Sequence, residues 1–317
     1  MSAIAIAHRG AAVRSFGAMP GVAWVLLVLL LAFSLLAPNF LTAGNVNNIA
    51  QQSVVLLLLA LPTTLVIMTE GIDMSLGAVL SLAGVVLAMV LVASGSPMLA
   101  VGAAMGVGLA FGLANGALVS VLGLPPFIVT LGAMGIAQGL ALVATDGDSI
   151  ITSESLAFLF EPVAGLTPTI WIALAFYAVF HVLMHRTRLG FYASAIGGNP
   201  EALRFASVNL RLYHIGIYAL SGAAAGFAAL VMTARMSAGH PSAALGLEFD
   251  AIAAVIVGGT SFEHGKGRLF GTLIGVVAVG VLRNGLNLLN VSSAVQVSCI
   301  GLLVIASLLL DNLKGTK

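Results

Sequence analysis

The stretch VIMTEGIDMSLGAVL, residues 66–80, places Glu70 and Asp73 three residues apart in a chain where charged residues make up 7% of the whole. Carboxylates this scarce are there to cap a turn, to line a polar route or to couple to an ion. An Asp or Glu at the centre of a membrane helix costs about 2.5–3.5 kcal/mol, so two facing lipid at mid-bilayer are excluded. They sit at an interface or face a polar cavity. Gly71 permits a sharp turn, and Asp73 or Ser75 is placed to cap the helix that follows. The alternative is a break in a helix whose polar groups line a solute path.

Other candidates carry less. GTSFEHGKGRLFG resembles a phosphate loop but fails on spacing: Thr260 stands where the pattern needs glycine, and Gly267 follows Lys266 where Ser or Thr is required. Lys266 and Arg268 suit anchorage of a helix at the inner surface. His181 and His185 share a helix face, but no third ligand is near and no metal site is expected. Ser, His and acidic residues never cluster as nucleophilic catalysis requires, and Trp24 and Trp171 are the only tryptophans, too few for a sugar-stacking platform. Cys299 is a single cysteine, suited to packing.

The elements that position these residues follow from hydropathy. With 60% hydrophobic residues and a mean hydropathy of +1.13, the 317-residue chain is an integral membrane protein. Its apolar runs are near 20 residues, long enough to cross about 30 Å of hydrocarbon as helices and without the alternation of barrel strands. The expected fold is all-α, a polytopic transmembrane helical bundle of about ten spans, near 21–37, 49–69, 75–93, 98–122, 127–144, 168–185, 213–234, 249–262, 269–288 and 293–311. The first run follows His8, Arg9 and Arg14 but is too long for a signal sequence, and Pro38 stands after Ala37 where cleavage would fall, so it reads as an uncleaved span. The eighth run is short and reads as a partial or re-entrant helix.

Ten crossings put four basic groups on one side: Arg9 and Arg14; Arg186, Arg188, Arg204 and Arg211; Lys266 and Arg268; Lys314 and Lys317. By the positive-inside tendency that side is cytoplasmic, and both termini lie there. The loop at 145–167 holds Asp146, Asp148, Glu154 and Glu161 without Lys or Arg, which suits the opposite side; Arg235 is the exception. The organisation is then a cytoplasmic segment 1–20, a membrane domain 21–311 with a cytoplasmic loop 186–212, and a tail 312–317. A net charge of +1, with basic residues in a few clusters, gives no reason to expect nucleic acid.

Glycines four apart, at Gly108/Gly112/Gly116, Gly222/Gly226 and Gly267/Gly271/Gly275, let backbones approach closely, as in a tight bundle or a mobile helix interface. LANGAL around Asn115 and LRNGLN around Asn284 hint at an internal duplication. Within residues 186–213, Asn199 as N-cap, Pro200 at the first helical position and Glu201 in the first turn start a short helix, with Ala202, Leu203 and Phe205 as its apolar face. Such a helix docks on another protein or lies on lipid headgroups.

EGIDMSLGAVLSLAG (70–84), GLPPFIVTLGAMGIAQGLAL (123–142), AIGGNPEALRFASVN (195–209), LEFDAIAAVIVGGTSFEHGKGRLFGTLIG (247–275) and NGLNLL (284–289) occur together and in order. In these the chain resembles the membrane-spanning permease subunits of bacterial ATP-binding-cassette importers for simple sugars, of the ribose, xylose and galactoside type, from about residue 45 to the C-terminus. The resemblance implies a multi-pass protein of the bacterial inner membrane that catalyses no chemistry and binds no cofactor. It implies a homo- or heterodimer of such subunits, a cytoplasmic ATPase that uses magnesium-bound ATP, and a periplasmic or tethered sugar-binding protein. It makes Gly197, Gly198, Asn199, Pro200, Glu201 and Ala202 the ATPase-coupling segment. It brings Asp73, Ser75, Thr260 and Ser261 near the translocation route, with Asn115 and Asn284 as further candidates. Met74, Leu76, Glu263 and His264 depart from the family's usual residues, which bears on the sugar carried. Two rivals stand beside this reading: an ion-driven secondary transporter using Asp73 or Asp250, and a permease of the same superfamily for branched-chain amino acids or nucleosides.

Overall fold

The computed structural model describes residues 21–152, 155–262 and 265–315. The segment 1–20, with Arg9 and Arg14, lies outside the described residues, as do Glu154, Glu263, His264 and Lys317.

Helices account for almost all of the regular structure. They are α1 (Gly21–Leu36), α2 (Ala43–Met68), α3 (Leu76–Ser94), α4 (Pro97–Ser120), α5 (Pro126–Thr145), α6 (Pro168–Arg186), α7 (Arg188–Gly198), α8 (Pro200–Phe205), α9 (Leu210–Met236), α10 (Leu247–Val257), α11 (Leu269–Leu288) and α12 (Ser293–Gly315). Local chemistry sets many of their ends. Proline opens α4, α5, α6 and α8, where its missing N–H is no loss. Thr42 and Ser96 accept from the backbone N–H three residues on, and Gly95 ends α3 in the left-handed conformation.

Seven of the described helices, α2 to α6, α9 and α11, are long and apolar enough to cross a membrane. The expected eighth span is shorter than 249–262: α10 stops at Val257, and its 11 residues rise about 16 Å, half a hydrocarbon thickness. Gly259, at φ 83°, turns the chain out of the helix, and Gly258 lets it press on α11, where a Cβ would lie 2.6 Å from the Gly271 carbonyl. The loop at 186–212 is mostly helical, of which the sequence indicated only the part from residue 199 on, and the expected tail 312–317 starts inside α12.

α2 is the centre of the bundle, buried continuously from Ser53 to Met68, as a helix apolar on all sides must be. The tightest packing joins α4 to α9. A Cβ on Gly108 or Gly112 would collide with the Gly222 and Tyr218 carbonyls, and one on Gly222 or Gly226 with α4 in return. The two glycine stripes read separately in the sequence are thus the two sides of one interface. A third stripe packs α11 on α10, with Gly271 against Gly258 and Gly275 against Ala254.

The expected loop at 145–167 carries β1 (Ile150–Ile151), antiparallel to β2 (Ala238–Gly239), and a single 3-10 turn at Ala157–Phe160. The ends of α5 and α9 therefore meet at one side of the bundle. At the other side, Gly265 packs on Ser194, and Lys266 and Arg268 share a cavity with His185 and Thr187. Two of the basic groups named from the sequence thus lie together, opposite the acidic loop.

Candidate functional site at the break between α2 and α3

α2 ends in a Schellman turn: the Glu70 N–H donates to the Ile67 carbonyl at 2.9 Å and the Gly71 N–H to that of Val66 at 3.0 Å. The left-handed position of this turn falls on Glu70, at φ 59°, and not on the neighbouring Gly71. A non-glycine residue there costs about 1–2 kcal/mol. Gly71 serves close approach instead, since a Cβ would stand 2.7 Å from the Tyr218 hydroxyl.

Beyond Gly71 the chain re-enters the bundle and is held from three helices. The Tyr218 hydroxyl on α9 donates to the Ile72 carbonyl at 3.3 Å. Thr130 on α5 accepts from the Met74 N–H at 3.1 Å. Asp73, 1% exposed, accepts from the Ser75 N–H at 3.1 Å, the Ser75 hydroxyl at 2.6 Å and the Ser221 hydroxyl of α9 at 3.3 Å. Asn115 on α4 completes the node by donating to the Ser75 hydroxyl at 3.0 Å. Ser221 lies about 16 Å along α9, so Asp73 stands inside the bundle and not at its rim. Ser75 precedes α3 without making a side-chain cap; Asp73 accepts its N–H instead.

The second polar segment reaches the same place by another residue. Glu248, buried at the start of α10, accepts from the Gly246 N–H at 3.1 Å and lies against Gly77, where a Cβ would strike its carboxylate. Ser81 accepts from the Ala244 N–H at 3.1 Å. The first turn of α3 therefore sits between Asp73 and Glu248, and a helix N-terminus favours negative charge.

The other expected residues fall elsewhere. Thr260, buried, accepts from the Arg268 N–H at 3.2 Å beyond the far end of α10, and the Ser261 N–H donates to the Lys266 carbonyl at 3.1 Å. Asn284 on α11 exchanges two hydrogen bonds of 2.9 Å with Asn45 on α2, apart from the Asp73 node. Asp250 pairs with Arg283 at 2.6 Å, with 4% and 31% of the side chains exposed. His181 and His185 lie with ring centroids 4.4 Å apart, tilted by 30°, on an exposed face of α6. Among the described residues no three His, Cys, Asp or Glu group as metal ligands would.

A bundle with a broken helix folded back into hydroxyl and amide side chains has the form of a solute conduit. Residues 45–308 match the family described as the branched-chain amino acid transport system permease component. The chain belongs to this permease family. It is 41% identical over 296 residues to the ribose import permease protein RbsC of Escherichia coli K12, covering 91% of this chain and 92% of the relative. It is 37% identical over 298 residues to the D-allose transport system permease protein AlsC of the same strain, covering 92% and 91%. Identity to the L-arabinose ABC transporter permease protein AraH of Azospirillum brasilense is 30% over 299 residues, covering 94% and 88%. No solved structure matches the chain. As a permease component it is a non-catalytic, multi-pass membrane subunit of an ATP-binding-cassette importer.

In the permease, the segment at 197–202 divides in two. Gly197 is buried: a Cβ there would strike the Met68 carbonyl at the end of α2 and come within 2.8 Å of the Gly265 Cα. Gly198 to Ala202 are exposed. Asn199 caps α8 by accepting from the Ala202 N–H at 3.0 Å, as its sequence indicated, and Phe205 is 90% exposed. Sequence reasoning missed Thr130, Tyr218, Ser221 and Glu248. Each is a polar group in an apolar stretch, which is the one signal that marked it.

Proposed function

We propose that this permease forms the path for a simple sugar, a pentose, hexose or related polyol, across the bacterial cytoplasmic membrane. The observation that carries the substrate class is the naming of its relatives: ribose, D-allose and L-arabinose, at 30–41% identity over nine-tenths of the chain. The chemistry of the break supports it, because Ser75, Asn115, Thr130 and Ser221 offer hydroxyls and an amide, the groups that exchange hydrogen bonds with a polyol. Selection of the sugar rests with an external binding protein, which agrees with the lack of an aromatic platform here.

The engine is a separate cytoplasmic ATPase using magnesium-bound ATP. It grips Gly198–Ala202 and α8, and a second permease subunit, identical or related, completes the path. α8 suits docking because none of its residues is buried within the chain and Phe205 projects an apolar ring. In this arrangement the bundle makes ten crossings with both termini cytoplasmic, the chain between β2 and Lys266 counting as one, since it passes from the side of β1 to the side of α7 through the half-length α10. Asp73 and Ser75 line the path from one side; Asn115 supports Ser75. Thr260 and Ser261 shape its cytoplasmic end, and Asn284 braces α11 against α2.

The test is co-purification of the tagged permease with its candidate ATPase in one detergent, wild type against Glu201→Arg plus Ala202→Glu. Retention by the wild type and loss by a still-folded variant is the expected result. Failure of the wild type to hold any ATPase overturns the reading.

A further inference from the structure

Glu70 sits where the fold does least to accommodate it. It holds the left-handed position of the turn that ends α2, where glycine is the low-energy residue, and sets a negative charge at the negative end of that helix. Nothing local offsets either cost: Glu70 makes no ion pair or side-chain hydrogen bond among the described residues. A residue that breaks two local rules at once points to a role outside the local structure.

Its surroundings show where that role lies. Glu70 is exposed into a cavity of about 710 Å³, bounded on one side by Thr69 and the end of α4, and on the other by Pro200 and Arg204 of α8, with Arg211 and His214 of α9. Arg211 and His214 ride on a helix locked to α4 through glycine contacts. Arg204 rides on α8, which buries none of its own residues. α8 is joined to the end of α2 through Gly197, whose backbone presses on the Met68 carbonyl. One wall of the cavity thus belongs to the break that carries Asp73, and the other to the exposed segment at 198–205.

We propose that Glu70 is the coupling partner of Arg204. When the segment at 198–205 is pressed inward the cavity closes, the two side chains form an ion pair, and the movement passes into residues 69–75 and the Asp73 node. The inference rests on reading α8 as the docking helix for the ATPase. Glu70 is a positioning residue and touches no solute.

The test uses the permease–ATPase complex in proteoliposomes, with uptake of D-ribose, D-allose or L-arabinose, whichever the wild type accumulates. Glu70→Gly relieves the left-handed strain and removes the charge, so it raises the unfolding temperature, yet lowers uptake about tenfold with the ATPase still bound. A merely structural role predicts the same gain in stability with uptake unchanged, and that result overturns the proposal. Glu70→Arg and Arg204→Glu each lose uptake, and together recover it to within about threefold of wild type. A double variant no better than either single one also overturns the proposal. A second measurement is independent of sugar and of charge reversal. Glu70→Cys with Arg204→Cys, in a Cys299→Ala background that removes the native thiol, is treated with a short thiol cross-linker. Yield rises when the ATPase is trapped with a non-hydrolysable nucleotide; yield indifferent to nucleotide counts against the pair. If the wild type binds no ATPase at all, the reading of α8 fails first, which is a separate outcome.

Discussion

Asp73 offers the sharpest test of what the polar node does. Three donors converge on its carboxylate: the Ser75 N–H, the Ser75 hydroxyl and the Ser221 hydroxyl. In Asp73→Ala the hydroxyls can turn to other acceptors, Ser221 toward the carbonyl one turn back on α9, but the buried Ser75 N–H has none. An orphaned buried donor costs about 1–3 kcal/mol, and the lost hydrogen bonds and the small void bring the total to about 2–4 kcal/mol. Asp73→Asn is different. Its amide oxygen replaces Oδ1 and keeps both Ser75 donors, while its NH₂ replaces Oδ2 and donates to Ser221, whose hydroxyl then accepts. The expected loss is below about 1 kcal/mol. Both variants are compared with wild type by thermal unfolding of the purified protein and by sugar uptake with the partner ATPase present. If the node is a hydrogen-bonded brace, Asp73→Asn stays folded and transports while Asp73→Ala does neither well. An Asp73→Asn protein that is folded, holds its ATPase and is silent in uptake would refute this reasoning, because the carboxylate itself would then be required, as an ion-coupled carrier demands.

Two further outcomes follow from packing. Gly222→Val drives a side chain into the Gly108 carbonyl and the Gly112 backbone, so it costs upwards of about 3 kcal/mol and abolishes a monodisperse peak in size exclusion; Gly216→Val, on the same helix with open space around it, does not. Asn45→Ala and Asn284→Ala each leave one buried amide without its reciprocal partner and lower stability by about 1–3 kcal/mol, whereas the double variant is little worse than either, read as a coupling energy from thermal unfolding.

The sequence disclosed what depends on near neighbours and withheld what depends on distant ones. The start of α8 was readable because Asn199, Pro200 and Glu201 act within one turn, and Asn199 makes the cap its type suggests. α7 was not, because Arg188–Gly198 ends in two glycines and is held by contacts from far along the chain, Gly197 on Met68 and Gly265. The glycine spacings marked the close-packing faces of α4 and α9 but not that each was the other's partner, since periodicity names a face and not what covers it. The break at 69–75 was visible from its carboxylates, but which residue takes the left-handed conformation was not. Local propensity favours Gly71 for that conformation, but Gly71 is needed where the Tyr218 hydroxyl approaches. The hydroxyls of Thr130 and Ser221 gave little warning because a helix can satisfy such a group on its own preceding turn, and Thr130 does bond the Pro126 carbonyl at 2.9 Å as well as serving the break.

Asp73 and Glu248 stand 175 residues apart in the chain, and both come to the first turn of α3. They arrive on different supports. Asp73 is tied to α4 and α9, which their interlocked glycines make a single unit; Glu248 heads α10, whose own glycine contacts join it to α11. α2 lies between the two units, with Thr64 bonded to Thr272 of α11 at 2.8 Å and Asn45 to Asn284, while its far end breaks toward α4, α5 and α9. A shift of one glycine-locked unit against the other is therefore felt at the first turn of α3, which touches both. That turn is where the bundle concentrates its buried hydroxyl, amide and carboxylate groups, and hydrogen bonds among such side chains can be exchanged with a polyol at little net cost, whereas apolar packing broken there would have no replacement. In the proposed path such a polar seam lets hydrogen bonds be exchanged with a hydroxylated solute, and it gives the buried carboxylates Asp73 and Glu248 a reason to stand inside the bundle.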